Sequence, residues 1–148
     1  MTLYARQVAW LSSVPTDKTV AQRDTSTRGE RMRADGVVRL PSPPVHAEAA
    51  YLCEHLFDAG PVSAGGMGAV ALTYADLQAW SQMTGTPVEP WEAQTLRAMS
   101  RAYVAEARAA EDPTRPPPWA MPEPEDRAAL SKRIGEALRA RARPRTPQ

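Results

Sequence analysis

The spacing of apolar residues divides the chain into three strong helical patterns separated by stop signals, with weaker patterns at both ends. The first covers 46–59, HAEAAYLCEHLFDA, where Ala49, Leu52, Cys53, Leu56 and Phe57 recur at helical spacing and Gly60-Pro61 stops the run. The second opens on Thr73, a good N-cap, with Asp76 three residues later in an aspartate version of the capping box. Tyr74, Leu77 and Trp80 then follow at three-residue steps, and Gly85 suits the left-handed residue that ends a helix. Pro87 and Pro90 keep this helix from running into the next. The third starts with Pro90 at its first position and Glu92 near the positive end of its dipole. Its apolar face carries Trp91, Leu96, Met99 and Tyr103, and its polar remainder is Arg97, Arg101, Glu106 and Arg108.

The flanks are weaker. Residues 1–14 hold a faint helical pattern of Leu3, Val8, Trp10 and Leu11. Residues 15–36 are polar and aperiodic, which predicts a mobile loop or disorder. Val37, Val38 and Leu40 predict a short extended segment, ended by the stiff prolines 41, 43 and 44. The stretch PVSAGGMGAVA predicts a flexible loop between two helices; it lacks the spacing of a nucleotide-binding fingerprint. Beyond the third helix, Pro113, Pro116, Pro117, Pro118, Pro122 and Pro124 form a polyproline-like rod that includes Trp119. A last amphipathic pattern, Leu130, Ile134 and Leu138, starts acidic and ends basic, in line with a helix dipole. The expectation is an all-α fold: a small bundle of three core helices plus a C-terminal helix, with an irregular, partly disordered N-terminal region. Residues 1–45 form the extension, 46–119 the core module, and 120–148 the basic C-terminal helix and tail.

Composition sharpens this picture in two respects. Alanine dominates an apolar share of 43%, and there is one Phe, so the core is modest. Residues 36–124 hold 10 acidic and 5 basic groups, whereas residues 125–148 hold 7 basic and 3 acidic, so a near-neutral chain has an acidic middle and a basic tail. A single Cys53 excludes an intramolecular disulfide and fits a reducing compartment, so a cytoplasmic location is expected. No apolar run is long enough to span a membrane, and the N-terminus lacks the apolar stretch of a signal peptide.

No catalytic, cofactor-binding or metal site stands out. Cys53, His46, His55, Glu54 and Asp58 cluster in sequence, but Cys53 and His55 point to different faces of a helix, and no second Cys-His group completes a zinc set. The reading is non-enzymatic, with no cofactor. Trp80, Trp91 and Tyr103 are either core or the wall of a binding groove, with Leu96 and Met99 on the same stripe. Trp119 either folds back on the helices as a clasp or anchors a partner. The second and third helices could form a DNA-binding helix pair, but their connection is long, and Glu89 and Glu92 would face phosphates.

From Ala50 to Trp119 the chain resembles the small tail assembly chaperones of tailed phages and prophages, encoded upstream of the tape-measure gene. The resemblance is carried, in order, by AYLCEHLFDAGP, GGMGA, LTYADLQAW, TG followed by PWE, LRAMSRAYVAEARAAE and the closing PPPW. It covers about half the chain and leaves out residues 1–40 and the segment after Pro124. It implies binding of the tape-measure protein, or another tail component, during tail morphogenesis in the host cytoplasm. Trp80, Trp91, Leu96, Met99, Tyr103 and Trp119 are the partner-binding candidates. A helical core this small supplies a few kcal/mol at most, which favours a partner or self-association. The alternative is a small helical regulator that binds DNA through the helix pair or the basic tail.

Overall fold

A computed structural model describes residues 1–16, 25–66 and 68–120. Within them the chain is mostly helical, with α1 (Thr2–Ser12), α2 (Arg28–Ala34), α3 (Ala50–Asp58), α4 (Tyr74–Thr84) and α5 (Pro90–Ala109). A 3-10 turn at Ala47–Ala49 leads into α3. The fold is not purely helical. The glycine-rich stretch expected to be a loop forms a small antiparallel hairpin, β1 (Ser63–Gly65) with β2 (Gly68–Val70), in which Ala64 pairs with Ala69. The expected C-terminal helix, with Leu130, Ile134 and Leu138, lies outside the described residues.

The expected helix signals operate as local chemistry dictates. Thr73 and Asp76 close a reciprocal capping box on α4: the Thr73 N–H donates to Asp76 Oδ2 at 2.8 Å and the Asp76 N–H to Thr73 Oγ1 at 3.1 Å. Gly85 ends α4 at φ 70°, in the left-handed region. Pro90 occupies the first turn of α5, and the Glu89 N–H donates to Glu92 Oε2 at 2.8 Å.

α5, at about 30 Å, is the spine. One face buries Leu96 and Met99 completely against Leu52, Cys53 and Leu56 of α3, Leu72, and Leu77 of α4. Edge-to-face rings tie three helices across this core: Tyr4 meets Phe57 at 6.3 Å between centroids, and Phe57 meets Tyr103 at 6.1 Å.

The N-terminal region departs most from expectation. Of residues 1–45, expected to be largely irregular, the described part contains two helices, and α1 is a main layer of the core. Arg6 meets Glu106 while Ser13 and Thr16 meet Ala110 and Glu111, so α1 and α5 run in the same sense. The buried face of α1 is Ala5, Gln7, Ala9 and Trp10. Leu3, from the apolar pattern, points outward. Small alanines let the helix backbones approach, and that contact carries no bulky apolar signature.

α2 also falls within a stretch read as a mobile loop. Thr27 and Glu30 form a full capping box, the Thr-x-x-Glu signal that starts this helix. At Gly29 the helix passes close to its neighbours: a Cβ there would stand 3.2 Å from the Leu11 carbonyl oxygen and 3.3 Å from Leu40 Cδ1. Residues 17–24 of the same stretch lie outside the described residues. The extended segment expected at 37–40 forms no strand, and Val38 is fully exposed.

Ser100, fully buried on α5, pins both ends of the hairpin segment. Its Oγ donates to the Pro61 carbonyl at 2.7 Å and accepts from the Leu72 N–H at 2.9 Å. Ser100→Ala leaves both backbone groups without this partner and is expected to cost about 1–3 kcal/mol. Denaturant unfolding should show the loss, with faster hydrogen exchange at the Leu72 amide. An unchanged midpoint would count against this role.

Candidate functional site

The six partner-binding candidates do not form one surface. Leu96 and Met99 have no exposed area: α3, α4 and α1 fill the stripe that would otherwise be a groove. Tyr103 is half-buried beside them, edge-on to Phe57. This part of the expected groove is therefore core.

Trp80 and Trp91 separate. Trp80 lies half-buried on His55, with ring centroids 5.2 Å apart, and its indole N–H donates to Asp58 Oδ2 at 2.8 Å. Trp91, placed by its spacing on the apolar face of α5, is 54% exposed. The reason is geometric. Leu96, Met99 and Val104 set the inward face of α5, and in the first turn it is Glu92 that points inward with them. Trp91, one residue earlier, is rotated about 100° away. Met83, near the end of α4, is 87% exposed, so two large apolar side chains flank the α4–α5 turn. Tyr74 is also exposed at the start of α4, where the Arg97 guanidinium stacks 4.0 Å from its ring centroid.

A polar cluster supports this corner from behind. The Tyr51 hydroxyl donates to Glu92 Oε1, and the Tyr51 ring meets His55 edge-on at 5.3 Å. The hydrogen bond from Tyr51, then that from the Glu89 N–H, holds the Glu92 carboxylate below the ordinary glutamate range. The same bond to Glu92, with burial, raises the Tyr51 hydroxyl. These residues fix α3 to the start of α5.

Of the sequence cluster around Cys53, the thiol is buried and burial pushes its pKa up, which disfavours the reactive thiolate. His46 and Glu54 are exposed. Among the described residues no group of three or more His, Cys, Asp and Glu is placed to hold a metal ion. No helix among them is long and apolar enough to cross a membrane.

Trp119 returns to the body of the molecule in the clasp geometry. Its backbone N–H donates to Gln7 Oε1 at 3.0 Å, and the residue lines a cleft shared with Trp10, Met32 and Pro41. The rod leading to it is tied down by charge. Glu106, 3% exposed, accepts from Arg6 at 2.8 Å and from Arg115 at 2.9 and 3.1 Å. Arg28 donates to the carbonyls of Ala110 and Asp112 at 3.0 and 2.6 Å, and its guanidinium lies 4.7 Å from the Trp10 ring centroid. Gln7, Trp10, Arg28, Glu106 and Arg115 were not among the sequence candidates. A lone polar residue on a weak helix carries no signal until its partner, up to 112 positions away, is placed beside it.

No protein-family model, curated protein or solved structure matches the chain.

Two predictions follow from the burial pattern and the Glu106 cluster. Trp91→Ala is expected to change stability by no more than about 0.5 kcal/mol, whereas Leu96→Ala costs about 2–5 kcal/mol; thermal or urea unfolding compares them. Burial raises the Glu106 carboxyl pKa, and the bonds from Arg115 and Arg6 more than offset this, leaving it below the ordinary value. Its contribution is therefore complete above the unfolded-chain value of about 4.3 and is lost as pH falls through the native value. Relative to Glu106→Gln, the wild type should lose stability on acidification below that point. Parallel pH profiles would contradict it.

Proposed function

We propose that the chain is a non-enzymatic tail assembly chaperone that holds an apolar, helical stretch of the tape-measure protein while the tail tube polymerises. The observation that carries this is the exposed pair Trp91 and Met83 flanking the α4–α5 turn. A tryptophan with more than half its surface in water is a strong anchor for a partner, and methionine adapts to varied apolar side chains. The resemblance between Ala50 and Trp119 supplies the class of client. The binding surface is moved from the buried Leu96–Met99–Tyr103 stripe to the outer corner formed by Met83 and Trp91 at the α4–α5 turn. A helix laid across this corner would be held by side-chain burial at modest affinity.

Co-expression with the neighbouring long coiled-coil reading frame tests the proposal. The client should be soluble with the wild-type chain and precipitate with Trp91→Glu, whose surface position leaves the fold intact by circular dichroism. Complex formation should survive raised salt, because apolar burial is not screened. A client equally soluble alone would sink the chaperone reading. DNA retention that weakens steeply with salt, without client rescue, would favour the small DNA-binding regulator instead.

A further inference from the structure

The segment after α5 is held as a peptide ligand is held. Three consecutive prolines, Pro116 to Pro118, fix φ near −65° and drive each preceding residue toward extended backbone. Such a rod has no internal hydrogen bonds and its prolines carry no N–H, so its carbonyls and the Trp119 N–H pair only outside it. Side chains of α1 take one backbone group at each end, and α5 takes the Arg115 guanidinium. The Trp10 indole N–H donates to the Arg115 carbonyl at 2.9 Å. Gln7 Oε1 accepts from the Trp119 N–H at 3.0 Å, while Gln7 Nε2 is held by the Pro41 carbonyl at 3.1 Å. Glu106 takes the Arg115 guanidinium through two bonds of 2.9 and 3.1 Å. Gln7 and Glu106 are both almost fully buried, and Arg6 orients the Glu106 carboxylate from the other side.

An acidic socket for a flanking arginine, an indole donor for a rod carbonyl and an aromatic wall beside the proline rings together make the chemistry that recognises proline-rich segments. The rod does not fill its seat. Pro117 and Trp119 line one side of an open cleft of about 340 Å³ whose other walls include Trp10, Met32, Val37 and Pro41. We propose that α1 and α5 form a recognition groove for extended Arg-Pro-Pro peptides, occupied in cis by Arg115–Trp119. A partner carrying such a segment binds by displacing the chain's own rod. This groove and its ligand class are independent of the α4–α5 corner and of the chaperone reading.

The cis segment competes at the millimolar effective concentration of a short tether, so the intact chain binds such a peptide weakly and a rod-released chain binds it better. The probe is a labelled peptide, Thr-Arg-Pro-Pro-Pro-Trp, titrated by fluorescence anisotropy into full-length protein. The double variant Arg115→Ala/Trp119→Ala is expected to bind at least about tenfold more tightly than the wild type. Adding Glu106→Gln to that background should abolish binding, as should replacing the peptide's arginine by alanine. If the double variant binds no peptide while keeping the helical spectrum and cooperative melt of the wild type, the proposal is overturned. Should the double variant not fold, the wild type is titrated to millimolar peptide and the Trp10 indole N–H is followed by NMR. A saturable shift supports displacement, and an unmoved resonance overturns it. A wild-type dimer that Arg115→Ala dissolves, with no peptide bound, would assign the groove to the rod of a second copy and overturn the peptide reading.

Discussion

α1 and α5 lie close together because the side chains between them are small. Ala5 and Ala9 face α5, and Ala110 closes the lower end of the same seam. At that separation an arginine on one helix reaches a carboxylate on the other, and Glu106 can be sunk in the seam with Arg6 on its flank. Larger residues at positions 5 and 9 would force the helices apart. The separation would open the carboxylate to water, withdraw Gln7 and Trp10 from the rod, and remove one wall from the Leu96–Met99 core. A buried carboxylate is costly by itself; here two guanidiniums, each still partly in water, compensate it without being fully desolvated themselves.

Around that seam the molecule divides its labour by chemistry. The α3–α4 side is held by apolar burial, with Leu52, Leu56, Leu77 and Leu96 enclosed. The side toward the rod is held by directional polar bonds from Gln7, Trp10, Arg28 and Glu106 to backbone carbonyls, an N–H group and one guanidinium. Polar bonds to an irregular segment are specific but individually modest, worth about 1 kcal/mol net between neutral groups and about 1.5–3 kcal/mol where one partner is charged. A segment held this way can be exchanged for one of like chemistry without unfolding the apolar half. The exposed corner at Trp91 and Met83 lies at the other end of α5, beyond the apolar half, so the two proposed recognition surfaces share a scaffold and use different forces.

Features whose causes are local can be read directly from neighbouring residues. The capping box of Thr73 and Asp76, the left-handed Gly85, Pro90 at the start of α5 and the apolar periods of α3 and α5 are each written within a few residues, because helix starts, stops and faces depend on neighbours one or two turns away. The Thr27–Glu30 box is equally local, but the seven-residue helix it starts carries no apolar period, so the polar stretch reads as loop. Features that depend on distant partners emerge only on packing. It made α1 a core layer through alanines that carry no apolar period, and it turned the Leu96–Met99–Tyr103 stripe inward and Trp91 outward. It also joined Glu106 to Arg6 and Arg115, which stand 100 and 9 residues away. A helix's apolar stripe shows that something covers it, but whether the cover is the chain itself or a partner depends on which other elements arrive there. That is a property of the packed whole, and no local stretch of sequence contains it.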